Sequence, residues 1–264
     1  MEQIGLNKQF GVREIANVVL KAKAEMKFGN KTFNANEPVL YFDTLKTSTV
    51  EGAATTVYAT GGRGNARLVS WDGERTITFT MEDALISPMG LAVLSGAGLI
   101  QGSKPVHFTE RIDKEHPATH TTIAEGTKVY YATVQEDGSL PDKLTEGTAL
   151  PTVSGNEVIF VDYYANVSSL MIDIEPGKFS GNFYLEAATL FRDTDGKDHA
   201  AEFIIPNCRV QSNFTFTMAA TGDPSTFTFT MDAFPGYTAY DKTKKVLCAI
   251  QVLGEEETGD DTEE

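Results

Sequence analysis

The sequence predicts a mainly β fold, because one short phrase typical of a strand occurs three times. The copies occupy residues 76–81, 214–218 and 227–231, and each alternates threonine with a large apolar residue. Alternation with a period of two places the apolar side chains on one face of a sheet and the threonine hydroxyls on the other. Each copy is therefore expected to be a half-buried strand. The predicted core residues are Phe79, Met81, Phe216, Met218, Phe229 and Met231.

The residues around these copies repeat as well. The same spacing leads into the first two copies: Asn65, Arg67 and Ser70 before one, and Asn207, Arg209 and Ser212 before the other. The chain therefore resembles two related β-units, one near each end. A length of 264 residues suits one large all-β domain or one domain with a sizeable insertion.

The charge of the chain is strongly acidic. The formal net charge is −15, and seven of the acids lie in the last ten residues, which leaves −8 for the rest. The terminal acidic run predicts a solvated, mobile tail. The remaining acidity argues against binding to nucleic-acid backbones, since such binding depends on Lys and Arg. No apolar run of membrane-spanning length and no export signal is visible, so the chain is expected to be soluble and intracellular.

The N-terminal part of the chain predicts a helix followed by strands. Apolar residues recur at spacings of three and four, which is typical of an amphipathic helix. They are Val12, Ile15, Val19, Ala22 and Met26. A strand is expected at 39–42, and then a long connection over 48–65 that ends in a glycine cluster. A hairpin through Trp71 is expected next, with its turn at Asp72 and Gly73.

A short helix is predicted after this hairpin. Ser87 is a good N-cap, Pro88 suits the first helical position, and Gly96 and Gly98 end the helix. Further strands are expected at 127–134, 157–164 and 170–174, in an insertion or extra layer. Residues 193–198 predict a polar hairpin turn, and 246–253 a last strand.

The candidate catalytic and ligand-binding motifs are all incomplete. The glycines at 61–64 lack the Lys-Ser/Thr ending of a P-loop. In 193–198 the glycine comes too early for a calcium loop. His116 and His120 could share a helix face as metal ligands, but Pro117 makes that helix improbable. Cys208 and Cys248 favour two reduced thiols, although one bridge is possible. No enzyme activity, cofactor or metal is therefore predicted.

The C-terminal part of the sequence resembles a known family. Over 187–233 it combines a Gly-Lys turn at Gly196, an apolar strand at 203–206, the triplet Asn207-Cys208-Arg209 and the threonine-rich hairpin. This order resembles the closing hairpins of bacteriophage tail tube proteins. The front half, with its long loop, the hairpin through Trp71 and the helix near 87–95, resembles the same family.

The resemblance implies a β-sandwich or barrel-forming tail tube fold. The predicted fold class is therefore mainly β, with an N-terminal helix, one short helix and an extra β insertion, of which the N-terminal helix and the insertion exceed the minimal pattern of that family. The expected parts are a helix and arm at 1–35, a tube-forming core at 36–104 and 181–253, the insertion at 105–180 and the acidic tail at 254–264. Hexameric rings would stack into a hollow virion tail tube through which DNA passes without specific binding. Assembly in the host cytoplasm is implied, without a membrane, and with tail sheath, baseplate or terminator proteins as further partners.

The long loop is the candidate assembly element, because a loop of this length in a compact domain is usually functional. Its candidate residues are Thr44, Thr49, Tyr58, Gly61, Gly62, Arg63, Gly64 and Asn65. Two alternatives remain open. A virion decoration, baseplate or tube-terminating β-sandwich would differ in assembly state. A carbohydrate-active enzyme would need paired carboxylates in an aromatic cleft, and Trp71 is the only tryptophan.

Overall fold

The computed structural model of the protein describes residues 4–216, 218 and 226–254. In this part of the chain there are fifteen strands and one helix, α1 (Pro88–Ser95), so the mainly β fold class is confirmed. From Glu255 onward, the predicted acidic tail lies outside the described residues. The strands are β1 (Phe10–Val12), β2 (Asn17–Ala22), β3 (Met26–Phe28), β4 (Lys31–Phe33), β5 (Pro38–Phe42), β6 (Leu45–Gly61), β7 (Ala66–Asp83), β8 (Gly98–Ile112), β9 (Val129–Thr133), β10 (Thr145–Gly147), β11 (Ile159–Asp173), β12 (Asn182–Asp193), β13 (Asp198–Val210), β14 (Phe227–Ala233) and β15 (Ala249–Val252).

The chain divides into two compact units. The first comprises the chain up to Leu99 and from Ile172 onward, and the second is Ile100–Met171. In the first unit the main antiparallel sheet has the order β5-β2-β12-β13-β14-β7-β6, with β1 added to β12 and β15 added to β13. The short pair β3–β4 forms a separate hairpin.

The core of the first unit is built by the threonine and apolar alternation. Phe229 lies opposite Met81 and Met231 lies opposite Phe79, so all four side chains share one face. Phe79 is 1% exposed and the other three are fully buried. The ring of Phe42 packs edge-on against Phe229 at 4.9 Å between centroids. Burial of this face is the main stabilising contribution expected for the sheet.

The second copy of the phrase does not join this core, so the prediction that Phe216 and Met218 are core residues is wrong. Phe216 is 44% exposed and Met218 is 92% exposed. The reason is that β13 ends at Val210 and β14 begins at Phe227. Beyond the hydrogen bond from Gln211 N to Thr230 O, the described residues between these strands join no sheet, and the Phe216 ring contacts Phe214 and Phe227 at the surface.

The predicted N-terminal helix is also wrong, because this segment forms β1, β2 and β3. Val18, Leu20 and Ala22 are fully buried, while the residues between them point away from the core. This period of two was masked by apolar residues that also recur at three and four. Pairing of β2 with both β5 and β12 decides between the two patterns.

The predicted short helix is confirmed. Ser87 accepts a hydrogen bond from Gly90 N at 2.9 Å and Pro88 begins α1. Gly96 ends it with a φ of 73°, and its amide donates to Ala92 O. A side chain at Gly96 would meet the backbone of Phe179 within 2.5 Å, so glycine is required there. The buried residues of α1, including Val93 and Leu94, complete one side of the core.

The predicted polar turn at 193–198 is confirmed as the β12–β13 hairpin, and its first residue anchors the N-terminus. The enclosed Asp193 carboxylate accepts from Lys8 Nζ at 2.7 Å and contacts His199 Nε2 at 2.9 Å. It also accepts from the backbone amides of Asp195 and Lys197. These donors link the segment before β1 to the hairpin.

The second unit is a four-stranded sheet with the order β10-β9-β11-β8. Its core contains Ile112, Val129, Val161 and the fully buried Tyr163. The Tyr163 hydroxyl accepts from His120 N at 3.2 Å. The unit therefore has a hydrophobic core of its own, and its bounds fall near those predicted for the insertion.

Phe229→Ala is expected to lower the free energy of unfolding by about 3–5 kcal/mol, because it leaves a cavity under the sheet. Phe216→Ala is the matched control, with the same chemical change at an exposed ring, and is expected to cost about 1 kcal/mol or less. Urea unfolding followed by circular dichroism measures both variants. Equal losses would contradict the positions assigned to the two rings.

Acid is expected to destabilise the Asp193 network. Hydrogen bonds from Lys8, then His199, and then the turn amides hold the pKa of Asp193 well below its usual range. Because the unfolded chain has an ordinary carboxyl pKa of about 4, the stabilisation is present above that pH. It is lost as the pH falls below it toward the folded pKa.

The measurement is the free energy of unfolding between about pH 3 and 7. Asp193→Asn should reduce the decrease in the free energy of unfolding at the acid end of this range. Asp195→Asn, at an exposed residue of the same turn, should keep the parent's profile. An Asp193→Asn profile parallel to that of the parent would show that this carboxylate has no such role.

Candidate assembly surfaces

A long hairpin extends from the core of the first unit. Strands β6 and β7 pair over their whole length, and the pairing continues from Leu45 with Asp83 to Gly61 with Ala66. Residues 51–76 are all exposed except Ala59 and Gly61, which are half-buried. We call residues 51–76 the arm. It is a two-stranded ribbon with no core of its own.

The arm replaces two predicted features. The long loop predicted over 44–65 is wrong, because most of it is strand β6. The turn predicted at Asp72 and Gly73 is wrong as well. Instead, the register shifts there by one residue, which is a β-bulge. The Glu74 amide donates to Thr55 Oγ1 at 2.9 Å, and a side chain at Gly73 would clash with that oxygen. Asp-Gly therefore marks a bulge, while the true turn is at 62–65.

The turn at 62–65 uses the predicted glycine cluster. Gly62 and Gly64 have φ of 77° and 85°, and Asn65 has φ of 50°. The Asn65 amide donates to Gly62 O at 3.2 Å. These left-handed conformations favour glycine and asparagine, so the residues close a hairpin end and no phosphate cradle is needed to explain them.

The arm carries apolar and basic side chains into solvent. Trp71 is 54% exposed and Leu68 is 65% exposed. Val57 lies directly opposite Trp71, and directly opposed residues share a face. Elsewhere on the arm, the Arg67 guanidinium lies over the Tyr58 ring, 4.0 Å from its centroid. An isolated two-stranded ribbon is only marginally stable in water, so such an arm suits a surface completed by a partner.

The face of the sheet opposite the core is polar at its root. Three rows of directly opposed residues run across β6, β7 and β14, with one residue from each strand in each row. We call these nine residues the threonine face: Thr47, Glu82 and Thr228; Thr49, Thr80 and Thr230; Glu51, Thr78 and Asp232. Six are threonines and three are acids. These nine residues therefore carry negative charge and hydroxyls, and Arg209 on β13 lies directly opposite Asp232 at their border.

Strand β6 has an open edge. It is the last strand in the order of the main sheet and pairs with β7 on one side. Over the described residues no strand pairs with its other side, along seventeen residues. Unpaired backbone amides and carbonyls on a strand edge are a template for another strand. The arm and the threonine face therefore share the strand that can extend the sheet.

The structure separates the predicted assembly residues into two groups. Thr44 and Thr49 lie at the root, where the Thr44 hydroxyl donates to Asp83 Oδ1 at 2.6 Å and Thr49 faces Thr80. Tyr58 lies on the arm. The remaining five residues come together at the end of the arm: Gly61, Gly62, Arg63, Gly64 and Asn65.

The other predicted candidates are placed as structural residues. His116 contacts Asp113 at 3.1 Å, and His120 packs against Phe108, so the two do not face each other as a ligand pair. Cys208 and Cys248 are both free. Burial raises the pKa of Cys208 to about 12, which makes it an unreactive thiol. Among the described residues no three metal-ligating side chains converge, and no helix is long and apolar enough to cross a membrane.

Comparison with known proteins identifies the family. The family model for the YomU/Tube protein family matches residues 11–247, which include the second unit, the arm, the threonine face and most of the first unit. The chain belongs to the YomU/Tube protein family. No curated protein matches the chain. Membership describes the chain as a tube-like structural phage protein, and thus as a structural component of the virion.

In this family member, the sequence alone missed the most exposed features of the assembly surfaces. The hairpin predicted through Trp71 is shorter than the one observed, and the sequence predicts no role for the acids Glu51, Glu82 and Asp232. A usable signal existed, because the threonines on β7 and β14 already defined one polar face. Only the register reveals that β6 adds Thr47, Thr49 and Glu51 to that face.

The arm of the tube-family chain is expected to be removable. Joining Ala53 to Thr76 through an Asn-Gly turn removes 54–75, and these two residues are already paired. The free energy of unfolding should change by about 1 kcal/mol or less, because the deleted residues contact no core. Urea unfolding measures this, with Phe229→Ala as the destabilised reference. Loss of cooperative unfolding would show that the arm is part of the folding unit.

Proposed function

We propose that this chain forms hexameric rings that stack into the tail tube of a phage, and that the tube is the conduit for DNA during ejection. The observation that carries the proposal is the continuity of β6. One strand holds part of the threonine face, an open edge and one side of the arm. Pairing of that edge with a neighbouring copy would extend the threonine face across the junction.

The closed ring is proposed because an open strand edge requires a pairing partner. A sheet whose last strand pairs with the next copy leaves no edge once the ring closes, as in a barrel. The number six comes from the resemblance to tail tube proteins. Tail sheath, baseplate or terminator proteins are proposed as further partners, and assembly is placed in the host cytoplasm.

The threonine face is proposed to line the lumen. Its carboxylates repel DNA phosphates, and its threonines offer no cation for phosphate contacts. An acidic, hydroxyl-rich wall would let DNA pass without specific binding. By contrast, the arm carries the apolar side chains, which suit contacts between protein surfaces better than a wall facing DNA.

Negative-stain microscopy of the purified protein is the first test. Rings or tubes are expected from the parent, and isolated particles from the variant that lacks 54–75. A parent that stays monomeric or trimeric at high concentration would favour the alternative of a decoration or baseplate-type binding module.

The lining is tested by placing cations on the threonine face. Tubes with Thr80→Lys and Thr230→Lys should retain short duplex DNA at low salt and release it as salt rises, because phosphate contacts are salt-dependent. Thr80→Ser and Thr230→Ser are the matched neutral variants. Asn156→Lys, at an exposed residue of the second unit, controls for added charge elsewhere. Equal retention by this control and by the threonine-face variant would contradict a lumen lined by this face.

A further inference from the structure

A basic surface lies on the first unit, between the end of β2 and the segment that joins β14 to β15. Lys242, Lys244 and Lys245 fall within four residues, and no other stretch of four residues in the chain contains three basic side chains. All three are exposed. Burial lowers the pKa of Lys23, and the charge of Lys242 lowers it further, so Lys23 lies close enough to interact with this run. We call these four lysines the basic patch.

Tyrosine rings and a backbone oxygen hold the lysines of the basic patch. The Lys23 and Lys245 ammonium groups lie over the rings of Tyr184 and Tyr237, each 5.5 Å from the ring centroid. The Lys242 ammonium donates to a backbone carbonyl at 2.8 Å. No salt bridge joins a lysine of the patch to any carboxylate of the described residues. In the sheet order β13 separates β12 from β14, so the patch lies apart from the threonine face.

The acids around the basic patch do not neutralise it. Three of them already have a partner in the chain: Glu25 pairs with Lys27 at 3.6 Å, Glu186 pairs with Lys21 at 2.5 Å, and Asp241 accepts from the amide and the hydroxyl of Thr243. Residues 234–248 contain Asp241 as their one acid. The four lysines and this acid give a net charge of +3. Even with Glu202 on β13 counted, the surface is positive in a chain whose net charge is −15.

The segment with the complementary charge is the acidic tail of the same chain. Residues 255–264 contain seven acids and no basic residue. Strand β15 runs antiparallel to β13 and ends at Val252, opposite Ala201. Leu253 N then donates to Ala200 O at 2.8 Å. The chain therefore enters its acidic run beside the beginning of β13.

The surface beside this exit point offers the tail no excess of positive charge. Residues 192–198, in the neighbouring hairpin, contain three acids and two cations. Lys8 binds the Asp193 carboxylate there at 2.7 Å, so the charges cancel. The basic patch is the surface that matches the tail in charge.

A neighbouring copy can present its basic patch to the whole tail. The segment that carries the patch meets β13 at Asn207, whose carbonyl accepts from Phe234 N at 2.8 Å. From Ala200 to Asn207 the strand covers roughly 23 Å. Residues 255–257, the first three acids, reach at most about 11 Å beyond Gly254. Within one copy the tail would have to reverse its direction and use these acids on the return path.

We propose that the acidic tail of one copy docks on the basic patch of a neighbouring copy. This inference rests on the proposed function, since it needs copies that assemble. The tail carboxylates supply the charge partners that the patch lacks among the described residues. Each exposed ion pair contributes little alone, but a contact repeated at every copy of a ring or tube gains from multivalency. In the assembly this contact replaces the solvated tail predicted from sequence.

Peptide binding tests the docking without assembly. The probe is a fluorescent peptide of residues 254–264, and its anisotropy is measured with a chain that ends at Gly254. Binding is expected at low salt and should weaken as salt rises, because exposed charges are screened. A peptide with Gln and Asn in place of the acids is the neutral control. Equal binding of the two peptides would overturn the charge pairing.

Lysine variants locate the binding site of the peptide. Lys242→Gln with Lys245→Gln should weaken binding by about threefold to tenfold, as expected for the loss of two exposed ion pairs. Lys114→Gln with Lys143→Gln is the matched control, with the same change of charge at exposed lysines of the second unit. It should change binding by about twofold at most. Equal effects of the two pairs of substitutions would overturn the assignment of the patch.

Mixing two variants tests whether the contact joins neighbouring copies. The chain that ends at Gly254 keeps only the patch, and a full chain with Lys242→Glu, Lys244→Glu and Lys245→Glu keeps only the tail. Each alone should need several-fold more protein than the parent to form rings or tubes, as measured by sedimentation. The mixture should assemble better than either, because tails of one variant then meet intact patches of the other. No gain on mixing would overturn a contact between copies.

The results distinguish this inference from the proposed function. Rings formed by the parent, together with an acidic peptide that does not bind, would overturn tail docking and leave the tube proposal intact. A parent that forms no rings or tubes would overturn both. Nucleic acid is the competing occupant of the patch. Short duplex DNA that binds the parent assembly, and is released by Lys242→Gln with Lys245→Gln, would also overturn tail docking.

Discussion

The structure depends on a hairpin that is longer than the core beneath it. At its root, β6 and β7 close the main sheet over buried Phe79 and Met81. Beyond Val50 the same two strands continue without a core. Backbone pairing and a few cross-strand side-chain contacts then hold the ribbon. A ribbon of two strands gains little net stability from such pairing in water. The arm is therefore the part of the fold whose stability depends most on a partner.

Two bulges interrupt the regular pairing of this long ribbon. Register shifts occur beside Ala54 and Thr56 and again between Ala59 and Thr60. Bulges increase local twist and interrupt the regular edge, which discourages indiscriminate strand pairing. Charged side chains near the root, such as Lys46 and Glu51, have the same effect. The open edge is thereby restricted to partners that match its twist and register.

Several elements could be predicted from sequence because their signals are local. The cap, proline and glycines of α1 define it within a few residues, and the 193–198 turn follows from its composition. The phrase copies at β7 and β14 predict their own inward residues. Strand β2 could not be predicted in place of the expected N-terminal helix, because its period-two burial depends on two partner strands. Phe216 has the same local sequence as Phe229 and differs only in whether a strand pairs with it.

In the candidate assembly surfaces, too, features with a local sequence signal could be predicted and features that depend on distant partners could not. The glycine cluster at 61–64 indicates a turn from sequence alone, since a positive φ that favours glycine has a local cause. The long connection before it could not be recognised as a strand, because Gly52, Ala53 and Ala54 erase the alternation that identifies buried strands. That lack of alternation is itself evidence that neither face of this strand covers a core. A strand with no core below it is not selected for a period of two. The arm therefore looks like a loop in sequence because, over the described residues, it covers no core of its own chain.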